Sequence, residues 1–292
     1  FSHYRKTSED ALINQTIAPS AGSTVTNIRR NLGSIKNWGY EALVTTQVLS
    51  RRNVAWDLTI AGSHNSNKLI TLGKDAAGKE VPPIIGATIR QTPGYPINGW
   101  WLRPYTYSDA NGDGLIAVSE VTVDTAFKFF GYSQPRLEVS VTNGLDLFNR
   151  ALRIQALVDH KSGYRISNTE QSFLCQQSVG CYDISNPDAP LWRQARAVAN
   201  RFTALRTPIG YIEELNFWRV REVSLTYQLS NRIAGLLRSG GGNINVAVRN
   251  LALFTDYTGV DPEANYGQSD TQNTLLTAGP PMYFTARINL RY

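Results

Sequence analysis

The chain is short of the residues on which much enzyme and metal chemistry rests. In 292 residues it has two cysteines, three histidines and a single methionine, Met282. His3, His64 and His160 stand far apart from one another and from the cysteines, so no set has metal-ligand spacing, which argues against zinc. There is no G-x-S-x-G elbow and no phosphate-cradling loop ending in Lys-Ser/Thr, and the glycine run 240–242 precedes a strand pattern and reads as a turn. No active site is expected. No apolar stretch approaches the ~18 residues of a spanning helix. The formal charge of +6 comes from scattered arginines rather than a basic run, which argues against nucleic acid as a partner. The opening FSHYRKTSED lacks an initiating Met, a charged n-region and an apolar h-region, so a processed chain or a piece of a longer one is expected.

What the chain does have is alternation, and many aromatics: 14 Tyr, 10 Phe and 6 Trp. From Phe284 the apolar residues Phe284, Ala286, Ile288, Leu290 and Tyr292 take one face, against Thr285, Arg287, Asn289 and Arg291. This is the period of a strand, since successive side chains point to opposite faces. The same pattern places Val54, Trp56, Leu58 and Ile60 opposite Asp57. It recurs with Leu137, Val139 and Val141 opposite Glu138, and with Leu152, Ile154, Ala156 and Val158 opposite Arg153 and Gln155. Val223, Leu225 and Tyr227 likewise stand opposite Glu222. About ten strands are expected, near 1–11, 35–49, 53–63, 82–91, 97–107, 133–147, 151–163, 213–229, 243–255 and 282–292. The pair near Pro93 and Pro96 fits least well, because proline cannot donate to a ladder. Short turns at LSRRN and LFNRA alternate with long polar connections at 13–32, 64–80, 108–129, 165–210 and 256–281. Such alternation is the pattern of an antiparallel transmembrane β-barrel, with short periplasmic turns and long extracellular loops. Aromatics cluster at the strand ends, where a barrel carries its two girdles, and the polar alternates Asp57, Glu138, Arg153, Gln155, Glu222, Arg287 and Asn289 become candidate lumen-lining residues.

Two local features stand out in the long connections. DANGDGLIAVSE, 109–120, has the positions of a twelve-residue calcium loop: Asp109, Asn111 and Asp113, the Leu115 carbonyl, Glu120 as a bidentate ligand, and Gly114 for the sharp turn. Its flanks, LRPYTYS and VTVDTAFKF, have no helical period. It is therefore no helix–loop–helix sensor, and any calcium would be structural. Cys175 and Cys181 are close enough in sequence to close a small loop, and a disulfide formed in an oxidising compartment is expected.

The stretches NFWRVREVSLTYQLS, INVAVRNLALFTDYTGVDPEANYG and ARINLRY resemble the C-terminal end of SusC/RagA-type TonB-dependent outer-membrane transporters. Asn250-Leu251, Phe254-Thr255 and Gly259-Val260-Asp261-Pro262-Glu263 are the most specific part. NLGSIKNWGYEALVTTQ, with Gly39 and Glu41, and the Asp-rich loop before FGYSQPRLEVSVTNGL extend the likeness over nearly the whole chain. The resemblance implies the C-terminal part of a barrel in the outer membrane of a Gram-negative bacterium, with the plug domain and N-terminal strands lying outside 1–292. It further implies import of glycan or peptide oligomers, energy from the TonB complex reached through that N-terminal part, outer-membrane lipid around the wall, and a SusD-like surface lipoprotein as partner. A passive porin or adhesin barrel and a soluble calcium-dependent binding module are the alternatives.

Overall fold

The computed structural model describes residues 1–16, 27–74, 77–177, 181–264, 273–275 and 277–292, and of 11–16, 27–32 and 273 the backbone alone. Long strands run in sequence: β1 (Ser2–Thr16), β2 (Asn27–Ser50) and β3 (Val54–Thr71), then an excursion over 72–136. That excursion holds β4 (Ile84–Ile85), β5 (Ile89–Gln91), β6 (Gly99–Leu102), β7 (Tyr105–Tyr107), β8 (Val121–Val123) and β9 (Lys128–Gly131). The long strands resume with β10 (Leu137–Leu147), β11 (Leu152–Asn168), β12 (Ile212–Gln228) and β13 (Gly241–Thr255). β14 (Asn273–Thr274) is a two-residue strand, and β15 (Tyr283–Arg291) is the last. The main sheet has the order β1-β2-β3-β10-β11-β12-β13-β15, with β14 added to β11 in parallel. All neighbours along that order are antiparallel. Most of these strands exceed the ~9–11 residues needed to cross hydrocarbon.

The register sorts the side chains into two faces. One row across the sheet reads Trp56, Leu145, Ile154, Leu225, Val246, Ala286; the row beside it reads Ala55, Asp146, Arg153, Thr226, Asn245, Arg287. In a soluble one-sided sheet the apolar face is the one covered. Here Trp56, Ile60, Leu225, Val246 and Ile288 are all exposed. The buried clusters lie elsewhere, in a lobe at the long-connection end. Leu69, Leu72 and Val81 form one, Trp100, Leu102 and Ile212 another, and Ile116, Val121, Ala195, Val198 and Ala199 a third. The outer wall is thus apolar and open, as a bilayer solvent requires.

The expected strands and connections differ from the structure in several places. The proline-marked pair, 82–91 and 97–107, does not join the wall. It forms a small sheet, β4-β5-β6-β9, and part of the β7-β8 pair, while β3 pairs directly with β10. Residues 64–71 of the connection expected at 64–80 continue β3, and the rest of it belongs with 108–129 to one excursion. The connection expected at 165–210 carries helices: α1 (Thr169–Gln177), α2 (Tyr182–Ser185) and α3 (Leu191–Arg201). The fourth helix, α4 (Asn231–Leu236), sits in the turn from β12 to β13, where the Ser230 hydroxyl accepts from Ile233 N–H. The connection expected at 13–32 is shorter, because β1 and β2 reach into it; its residues 17–26 lie outside the described ones, as do 265–272 and 276 of the connection at 256–281.

Gly144 shows how the polar face is fitted together. Asp57 on β3 reaches Arg153 on β11 across the intervening β10, with Oδ1 2.8 Å from Nη1. A Cβ on Gly144 would overlap both the Arg153 guanidinium and the Asp57 carboxylate. The bare backbone is what lets the pair meet over the middle strand. Gly144→Val is expected to cost about 1–3 kcal/mol through overpacking, read as a lower unfolding midpoint of the assembled protein.

Candidate functional site

All seven candidate lumen residues fall on the polar face, spread over β3, β10, β11, β12 and β15 rather than gathered at one point. Asp57 and Arg153 meet, joined by Asp146, which alternation had left unnamed, at 3.1 Å from Arg153. Glu222 accepts from Arg249 Nε at 2.6 Å, and Asn289 Nδ2 donates to Asn243 at 2.8 Å. Glu138 stands opposite Lys161 in the ladder, Gln155 opposite Gly144 and Ser224, and Arg287 opposite Asn245.

The densest charge cluster on this face escaped the sequence reading. After β13 the segment 256–264 turns back over the polar face. Both Asp261 oxygens lie 2.6 Å from Arg219 Nη2. Glu263 receives the fork of Arg221, each contact at 2.6 Å, and lies 3.1 Å from Lys161 and 2.8 Å from Arg219 Nε. Arg221 Nε also donates to Asp159 at 2.6 Å. Arg219 and Asp261 are buried, so each charge depends on the other for the solvation it has lost. Three cations face three carboxylates, and the cluster is neutral.

Strict alternation through Val223 and Leu225 sends Arg219 and Arg221 to the apolar face. The register shifts between Val220 and Glu222, so that Val220 opposes Val158 and Arg219 opposes Asp159. On the other side Asn250, at φ 52°, marks the matching irregularity in β13. The extra residue reverses the faces and turns both arginines inward. The Gly259–Glu263 motif was legible as a family signature; the two arginines on the wall that pair with its acids were hidden by this bulge.

Burial alone would raise the Glu263 carboxyl, but the hydrogen bonds and charge of Arg221, followed by those of Lys161, hold it below the usual carboxylate range.

In the loop-side lobe, residues 109–120 form a closed turn. Asp109 accepts from the backbone of Gly112 and Asp113 on Oδ1 and of Gly114 on Oδ2, while Asp113 accepts from Leu115 N–H. Glu120 accepts from Ala110 and Ala117, 2.8 and 2.9 Å away. The turn is fastened to α3 by Gln194, which accepts from Ile116 N–H and donates to the Gly114 carbonyl. Arg103, the nearest cationic rival in sequence, points away to the Phe127 ring and the Thr125 carbonyl. The three carboxylates are not drawn together as a ligand set. Among the described residues, Cys175, Cys181 and Asp183 are the one set of three or more His, Cys, Asp or Glu whose donor atoms all lie within 4.8 Å of one another. That set is no metal site, because the two sulfurs are joined in a disulfide, with Cα atoms 4.9 Å apart. Asp183 instead takes Arg196, at 2.7 Å, and Arg193, at 2.9 Å.

A wall of alternating faces, crossed by long strands and closed by short turns at one end, defines a segment of an antiparallel transmembrane β-barrel. Solved structures share this fold. The chain matches the RagAB peptide transporter with a TM-score of 0.75 at 18% identity, covering 99% of this chain and 32% of that one. It matches the RagAB peptide importer in its "open-open" state with a TM-score of 0.71 at 20% identity. In sequence it is similar to TonB-dependent receptor P26 of Formosa agariphila, 24% identical over 93% of this chain and 30% of that receptor. It is also similar to TonB-dependent receptor SusC of Bacteroides thetaiotaomicron, 22% identical over 91% of this chain and 27% of that receptor. No family model matches. Over nine-tenths of its length the chain is thus similar in sequence to TonB-dependent receptors, SusC among them, and it shares the fold of the RagAB transporter. The chain spans about 30% of the length of these relatives, which are named as receptors and transporters, not enzymes.

A carboxyl held below its unfolded value stabilises the fold above that value, and the contribution is lost as pH falls through the folded one. Acidification below ~4.3, the ordinary glutamate value, is therefore expected to release the 256–264 segment from the wall. Glu263→Gln should show the same release at neutral pH. Protease cleavage within the connection from β13 to β15 measures both.

Proposed function

We propose that the chain is the C-terminal part of the barrel of an outer-membrane active transporter that imports oligomeric nutrients, glycans or peptides. The observation that carries this reading is the combination of an exposed apolar wall with a polar, ion-paired opposite face and all the long connections at one end. The apolar face meets outer-membrane lipid, and the polar face, with Asp57, Glu138, Arg153, Gln155, Glu222, Arg287 and Asn289, lines the lumen around a plug supplied by the rest of the polypeptide. The long connections, among them 72–136 and 169–211, are extracellular and meet a SusD-like lipoprotein. TonB supplies the energy through the plug side. The names of the matched receptors and of the RagAB peptide importer support this direction of transport. Deleting the gene in its native host is expected to abolish growth on the oligomer it serves while sparing growth on the monomer, with restoration by the intact gene. Equal growth on both overturns the reading.

The loop 109–120 is proposed as a structural calcium site of that extracellular lobe. Its support is the ligand order, with Asp109, Asn111, Asp113, the Leu115 carbonyl and Glu120 in the required positions, and an arginine rival turned elsewhere. Such extracellular modules bind at ~10⁻⁴–10⁻³ M. Millimolar calcium is expected to protect the lobe from proteolysis in the intact receptor, and Asp113→Ala to remove that protection while leaving the barrel strands assembled.

A further inference from the structure

On the wall and in the helical lobe, Arg153, Arg193, Arg196, Arg219, Arg221 and Arg249 each meet a carboxylate. Two in the small sheet do not. Arg90 on β5 and Arg103 just after β6 both set their guanidiniums against the ring of Phe127, with Cζ at 3.9 and 4.1 Å from its centroid. Among the described residues no carboxylate lies within ion-pair distance of either. Arg103 Nε donates to the Thr125 carbonyl. Among the described residues Arg90 Nε has no hydrogen-bond partner, and neither has Nε1 of Trp101, whose ring lies 5.9 Å from the Arg90 guanidinium and which is 9% exposed. Burial, and after it the charge of Arg103, weakens the hold of Arg90 on its proton. Two like charges on one ring, beside two buried donors without acceptors, form an arrangement that an anionic oxygen group would complete. Tyr95 and Phe129 pack on Trp101, at 4.7 and 5.8 Å between centroids, and extend the surface with aromatic rings.

We propose that Arg90, Arg103 and Trp101 receive a carboxylate carried by the oligomer that this receptor takes up. The guanidinium forks suit a planar two-oxygen group, and the neighbouring rings suit the apolar face of the unit that bears it. The proposal rests on the import reading and narrows it to acidic oligomers, whether an acidic peptide or a uronate-bearing glycan.

The test uses the full-length receptor, purified in detergent, titrated calorimetrically with hexaglutamate and with trigalacturonate. Each is paired with its neutral counterpart, hexaglutamine and the methyl ester. One acidic probe is expected to bind at least tenfold more tightly than its neutral counterpart at low salt, and the probe that does so identifies the source. Arg90→Gln with Arg103→Gln should remove that preference. Arg90→Lys with Arg103→Lys, which keeps both charges and guards against a folding failure, should reduce it without abolishing it. Equal binding of acidic and neutral probes overturns the proposal. So does a wild-type receptor that binds neither acid, as it would if a carboxylate of its own polypeptide filled the place, and so does a preference that survives the glutamine variant. The import reading fails on a separate readout, the growth of the deletion strain, which is blind to the charge of these probes.

Discussion

The structure depends on a single shared register. Eight strands are locked to one another by backbone ladders, and because side chains alternate with a period of two, the offset between neighbours fixes the face of each residue between one bulge and the next. Within that frame Asp57, Asp146 and Arg153 meet across three strands, and Ile154, Leu225 and Val246 form one apolar row. A slip of one residue in β11 alone would set Arg153 among the apolar side chains and leave two carboxylates on the other face without a cation. The ion pairs therefore act less as a source of stability than as a penalty on every other register, since a charge left in an apolar layer is far costlier than a surface pair is favourable.

The wall was legible in the sequence wherever this period ran unbroken. Faces read from 54–60, 137–141, 152–158 and 284–292 agree with the ladders. The reading lost its way where one residue was added. Nothing in NFWRVREVSL shows that Arg221 is the extra one, because a bulge is recognised by its hydrogen bonds, and these depend on the partner strand. Two arginines were thereby displaced from the cluster they anchor. The pair near Pro93 and Pro96 has real strand character, but extended chain is not the same as a place in the wall. That place was taken by the direct pairing of β3 with β10, whose partners, from His64 with Leu137 to Val54 with Leu147, lie far apart in sequence and are invisible to any local pattern.

The helices were missed for a different reason. PLWRQARAVANR is polar enough to read as solvent-exposed connection, yet Gln194 to Asn200 are all buried. Their polarity is consumed inside the lobe: Gln194 by Gly114, Ile116 and Ala189, Arg196 by Asp183, Asn200 by Ser172. Composition reports how much a segment wants hydrogen bonds but not whether water or protein supplies them. The calcium-type loop shows the converse. Its ligand order could be read residue by residue, while its attachment to α3 joins residues whose pairing no motif encodes.

That attachment bears on the order in which the protein is put together. Gln194 secures residues 114 and 116 from the connection between β11 and β12, and the helix that carries it packs against α1 and α2, which the Cys175–Cys181 bridge staples. The turn at 109–120 thus leaves the ribosome well before the helix that fastens it, and its final shape waits on a later stretch of chain and on oxidation. The two connections form a single packed unit, although a whole hairpin of the wall separates them in sequence.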